Sequence, residues 1–281
     1  MANVFRSRLV VSVAPVNPSL LTHTLFDSTH RESRESPISE FLSRLQILNR
    51  LAPQPVGFDP FQGQLVLLGV VAAVESYLRT QFRRVIDLDA TSQNQVHDQD
   101  VSYGAALFLK KELLPEAILE RIAFVSEKSI TSALRDLLGV KGNMPPDLSV
   151  AITDYARICQ LRHCAVHRFG KLGAKNAYNL GFADHSSLLE KPLKLNYVAL
   201  QNAIAISTGL VKSINNFLFN EILCRVPDSA WSGDYRRDRV LFRKYYDLFA
   251  DTVSVTRTVA ANELYRQFIQ QRRAFAADQR R

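Results

Sequence analysis

From Pro37 onward, apolar and polar positions alternate with a helical period, interrupted by short runs of proline, glycine and small polar residues. "PISEFLSRLQILNR" suits a helix over 38–50, and the three prolines of "PQPVGFDP" end it. A long helix is expected from about 62 to 86. Its first half is apolar on every side, as in a central, buried element. Further helices are expected over 101–113 and over 115–137, the latter opened by Pro115 and closed by Gly139. "GVKGNMPPD" is a turn-rich break, and helices over 148–169, 194–225, 235–250 and 252–276 follow. Between them "GKLGAKNAYNLGFADHSS", with three glycines, suits a loop. Ahead of Pro37, residues 4–14 are β-branched and apolar and suit a short strand, and "DSTHRESRESP" is a polar loop. The fold class expected is all-α, an antiparallel helical bundle. It divides into an N-terminal extension over 1–61, a helical domain over 62–225 and a basic helical extension over 226–281 packed on that domain.

The helix over 148–169 carries an anomaly. Projected at about 100° per residue, Leu161, Ala165, Ile158, Phe169, Tyr155, Val166 and Cys159 fill one arc of about 160°. Arg162 falls near its middle, and His163 and His167 lie just beyond its edge, on the Cys159 side. A guanidinium on an apolar stripe is costly unless something pairs with it. Glu75, the only acid in the apolar stretch 64–78, could hold it as a core pair, with Arg79, one turn along, competing for that carboxylate. Alternatively, Arg162 faces a cleft where a second subunit or a phosphate supplies the partner.

Composition narrows the choices. At 47% apolar residues the chain can build a substantial core. Three cysteines without a CxxC pair argue against a disulfide framework or a zinc site. GxxxxGK[ST], GxGxxG, acidic metal clusters and HxH patterns do not occur, so neither metal nor cofactor is expected. The apolar run at 65–74 is about half the length of a membrane span, and the N-terminus lacks a signal-like apolar run. A soluble, cytoplasmic protein without a membrane partner is expected. The net charge is +8, and arginines outnumber lysines 25 to 10. That balance fits a polyanionic partner, though arginine-favouring codon usage gives the same composition.

Arg162-His163-x-x-x-His167 resembles the motif of the HEPN superfamily of ribonucleases, in which an arginine is followed four to six residues later by a histidine. The position after the arginine is usually Asn, Asp or His, and the motif sits late in a long helix of an antiparallel bundle. Arg157 with His163 fits a looser version of the same spacing. The resemblance covers about 62–225. It implies metal-free RNA cleavage by 2′-hydroxyl attack, with Arg162 and His167 as the essential pair and His163 orienting the substrate or the catalytic imidazole. Residues five apart on one helix point about 140° apart. Family members complete the site by pairing two motif helices about a two-fold axis, so a homodimer through 148–169 is implied. The roles implied are toxin or antiviral-defence effector, with a partner protein that inhibits or activates. A non-catalytic dimeric binding or regulatory module of the same fold is the alternative.

Supporting roles are expected for Glu75 and Arg79, and RNA contacts for Lys171, Lys175 and Arg168 beside the motif. Over 225–281, 12 Arg and Lys stand against 7 Asp and Glu. Tyr235, Tyr245, Tyr246, Phe249, Tyr265 and Phe268 interleave with them, a mixture that suits single-stranded RNA. Aromatics at helical spacing are more often core packing.

Overall fold

The structure, a computed structural model, describes residues 9–254 and 259–279, and these contain helices and no strand. The chain forms two compact units, Met1–Arg34 and Glu35–Arg281. Among the described residues 9–34 of the first, the one helical element is a 3-10 turn at Thr22–Leu25 that buries nothing. Its residues 9–14 are not a strand, and 4–8 lie outside the described residues. An isolated β-branched run has no neighbour to satisfy its N–H and C=O groups, so propensity alone does not make it a strand.

The second unit holds the α-helices: α1 (Pro37–Leu51), α2 (Pro60–Leu88), α3 (Ala90–Gln95), α4 (Tyr103–Phe108), α5 (Leu114–Leu119), α6 (Glu127–Asp136), α7 (Pro146–Arg168), α8 (Ala174–His185), α9 (Tyr197–Arg225), α10 (Tyr235–Phe249) and α11 (Ala261–Asp278). α1 therefore belongs to the bundle rather than to a separate N-terminal extension. Polar contacts fix its direction. Arg84 on α2 reaches Glu40 at 3.2 Å, and Gln62 donates to the Leu51 carbonyl at 2.8 Å, so α1 and α2 run antiparallel. Leu195 packs by Gly63, Tyr77 meets Asn215, and Arg225 meets Asp89 at 2.6 Å, so α9 runs parallel to α2. Phe61 pairs with Phe169, which sets α7 antiparallel to α2. Val70, Val74, Tyr77, Ile152, Tyr155, Leu210 and Ile214 fill the space between these helices and are at most 1% exposed. By length and composition α2 could cross a membrane; half of its most apolar window is buried.

Start and stop signals explain most boundaries. Ser36 and Asp59 cap the two first helices, with Pro37 and Pro60 following. Gly139 closes α6 at φ +64°, donating its N–H to the Arg135 carbonyl. Four expectations are corrected. The segment 115–137 is two helices, not one, because Arg79 donates to the carbonyls of Leu119 and Ile122 and holds the chain open there. A Ser126–Ser129 capping box then restarts it. The segment expected as a loop after Gly170 contains α8. Its Asn176 side chain donates to Gln160 of α7 at 3.0 Å and its Ala177 is fully buried, so packing overrides the glycine content. The segment 101–113 is reduced to α4 and a 3-10 turn at Lys111–Leu113, and α11 begins only at Ala261, with 255–258 outside the described residues.

Candidate active site

α7 is buried along its first half and opens at its last turns. Tyr155, Ile158 and Cys159 face the core, while Arg162 and Ala165 are half-buried and Val166 and Phe169 are 45% and 80% exposed. The apolar arc thus ends in open surface. Phe61 of α2, also exposed, extends the same patch, its ring 5.4 Å from that of Phe169. Phe169 is left-handed at φ +51°, a strained conformation for an aromatic residue, followed by Gly170 at φ +89°.

On the other side of α7, Cys164 is 2% exposed, and Gln160 accepts from Asn176 and Asn179 of α8. His163 and His167 lie between this buried side and Arg162, one turn apart on the same exposed face. Their ring centroids are 4.5 Å apart, tilted by 50°. Slight burial, then the charges of His167, Arg162 and Lys175, hold the His163 imidazole below its ordinary 6.5. A ring so placed is neutral at neutral pH and able to accept a proton.

Arg162 is not held as a core pair. Among the described residues no carboxylate lies within 4 Å of it, and none of its side-chain nitrogens finds a hydrogen-bond acceptor. Glu75 is half-buried rather than buried and makes no ion pair with Arg162 or Arg79. Both Glu75 and Arg162 nonetheless act on Cys159, whose thiol is pushed up to about 12, first by burial, with Glu75 raising it and Arg162 lowering it. Arg79 has a structural task instead: it satisfies the end of α5 and lies over the Phe124 ring, 5.8 Å from its centroid.

The three cations expected to touch RNA divide. Lys175, exposed at the start of α8, acts on His163 and belongs to the site. Lys171 is exposed and sits in an isolated β-bridge with Pro192. Arg168, still exposed, donates from one guanidinium nitrogen to both carboxylate oxygens of Glu190 at 2.5 and 2.7 Å, so its charge is already paired. The first turn of α8 has no side-chain cap and adds the positive end of a helix dipole next to Lys175. α8, and the exposed, left-handed conformation of Phe169, are the parts of the site that sequence reasoning missed. The pair Phe169-Gly170 at the end of a helix is the one signal that marked the turn.

Among the described residues no group of three or more His, Cys, Asp and Glu gathers around a common point. The arrangement offers two imidazoles for proton transfer and an uncompensated guanidinium and ammonium for an anion. No family model, curated protein or solved structure matches this chain.

Proposed function

We propose that the chain is a metal-independent endoribonuclease of HEPN type. The observation that carries this reading is the pair of exposed imidazoles 4.5 Å apart beside Arg162, which among the described residues has no carboxylate within 4 Å. RNA carries its own nucleophile, so the protein need only move two protons and stabilise charge on phosphorus. His163, held neutral, takes the proton of the 2′-hydroxyl as its oxygen bonds to the adjacent phosphorus. His167 gives a proton to the departing 5′-oxygen. Arg162 and Lys175 neutralise the phosphate oxygens in the transition state. The products are a 2′,3′-cyclic phosphate and a 5′-hydroxyl.

Phe61, Val166 and Phe169 form an open patch at the end of α7 that carries Arg162. In this reading a second copy covers it, bringing two α7 ends to one cleft and making the enzyme a homodimer. The resemblance suggests a cytoplasmic effector, a toxin or antiviral defence protein, restrained or triggered by a partner.

The test is incubation of the purified chain with end-labelled RNA in EDTA, comparing wild type with His167→Ala. Cleavage to cyclic-phosphate ends that is lost in the variant supports the reading. Ends carrying a 3′-hydroxyl, or activity abolished by EDTA, would overturn the mechanism. Absence of cleavage, with the dimer intact, would favour the non-catalytic binding module.

A further inference from the structure

Phe242, Phe249 and Tyr265 of the C-terminal extension are buried core, and Trp231 and Phe268 pack against them. Trp231, Phe242, Tyr265 and Phe268 pack as edge-to-face and tilted rings between α10 and α11, and Phe242 and Tyr265 are at most 2% exposed. This packing fixes α10 and α11 as an antiparallel hairpin, since Arg273 approaches Gly233 at one end and Tyr246 donates to the Val259 carbonyl at the other. It also turns the arginines of both helices toward a common groove.

That groove has a volume of about 890 Å³ and is lined by Arg236, Arg239 and Arg243 from α10 and by Arg266 and Arg273 from α11. Against these five arginines the groove's lining holds one acid, Asp234, which also caps α10, accepting from the Arg236 N–H at 2.9 Å. Arg243 is held by Asp247 at 3.1 Å. Among the described residues no carboxylate lies within 4 Å of the other four. Arginines 236, 239 and 243 recur at i+3 and i+4, the spacing at which like charges on a helix repel. The chain thus carries a repulsive stripe where an alternation of signs would stabilise the helix. The first turn of α11, at Ala261 and Asn262, opens into the same groove; its N-cap residue, Ala260, supplies no side-chain cap, and Asn262 accepts from the Glu263 N–H at 3.0 Å.

Two facing rows of guanidiniums along a hairpin match a linear polyanion better than a compact one. We propose that the α10–α11 groove binds the phosphodiester backbone of single-stranded RNA, away from the His163–His167 site. The anion chemistry stands on the groove alone; RNA as the occupant rests on the cleavage reading. Contacts would be to phosphates, so binding would tolerate any sequence and weaken with salt.

The experiment uses the full chain carrying His167→Ala in EDTA, titrated into fluorescein-labelled oligouridine at several KCl concentrations and read by anisotropy. Adding Arg239→Gln and Arg266→Gln should raise Kd at least ~10-fold at moderate salt. It should also flatten the slope of log K against log salt by about 1.4, at about 0.7 for each single-strand phosphate no longer neutralised. The melting temperature should stay level or rise as the repulsion is relieved. Should that pair fail to fold, Arg236→Gln with Arg273→Gln probes the other end of the groove. Unchanged Kd and slope in the folded variants would overturn the proposal. Displacement of the RNA by tripolyphosphate or by oligoglutamate at equal charge concentration would also overturn it, assigning the groove to a small polyphosphate or an acidic protein. Binding lost in the arginine variants while the wild type cuts no RNA would keep the groove and remove the cleavage reading. Cleavage by the wild type with unaltered binding in the variants would do the reverse.

Discussion

His163 and His167 face each other across 4.5 Å at the open end of α7, and the charge of His167 depresses the His163 imidazole. Burial depresses it first, and Arg162 and Lys175 add to the effect. By NMR, His163 should titrate with a midpoint below 6.5, and the midpoint should rise toward 6.5 in His167→Ala and again in Arg162→Gln. The sign follows from removing a neighbouring cation, which makes protonation easier. A wild-type midpoint at or above 6.5 would contradict the arrangement. In cleavage assays the acid limb of kcat/KM would accordingly lie below pH 6.5.

Glu75 and Arg162 share influence over Cys159 without forming an ion pair. Because Glu75 is half-buried and unbridged, Glu75→Ala should destabilise the fold by under about 1 kcal/mol, not the several expected of a broken buried pair. A double-mutant cycle of Glu75→Ala and Arg162→Ala, followed by urea unfolding, should give a coupling below about 0.5 kcal/mol. A larger coupling would restore Glu75 as the partner of Arg162. Arg79→Ala should cost more, about 1–3 kcal/mol, since it strands the carbonyls of Leu119 and Ile122.

These residues show what the sequence could carry. Helical period and capping residues located α1, α2, α7 and α9 because local chemistry determines where such helices start and stop. The period also placed Arg162 near the middle of the apolar arc and the two histidines just beyond its edge. It could not tell that the arc is covered only along its first half, because burial at Val166 and Phe169 depends on where neighbouring helices end. α8 was illegible for a similar reason: the Asn176–Gln160 contact and the seat of Ala177 are tertiary. The arginine rows of α10 and α11 lie in the sequence at helical spacing, but only the packing of Phe242 and Tyr265 makes them face each other.

Phe169 holds an aromatic ring in solvent on a left-handed backbone. Phe169→Gly should therefore leave thermal stability level or raise it, since glycine relieves about 1 kcal/mol of strain while the exposed ring contributes little buried surface. If a second copy covers this patch, the same variant should shift the dimer toward monomer, and Val166→Asp should do so more strongly. Light scattering across micromolar concentrations measures this. A wild type that is monomeric throughout would remove the two-fold site.

Tyr265 donates its hydroxyl to the buried carboxylate of Asp238, which also accepts from the Ser232 N–H and Oγ and from the Gly233 N–H. Burial alone would raise this carboxyl, but the donors outweigh it and hold it below its ordinary 3.8, Tyr265 contributing most. The network ties the turn before α10 to α11 and so frames the arginine groove. A depressed carboxylate stabilises the fold fully above pH 3.8, and that contribution is lost as pH falls through the folded value. Asp238→Ala leaves four donor groups without their acceptor and should cost about 3 kcal/mol at pH 7. Asp238→Asn keeps one acceptor oxygen and should cost less. Its deficit relative to wild type should shrink as the pH is lowered below 3.8, because wild type then loses the charge that the variant lacks. Urea unfolding at neutral pH and at stepped acid pH measures both. A deficit for Asp238→Asn that is the same at every pH would show that the charge on Asp238 contributes nothing to holding the hairpin.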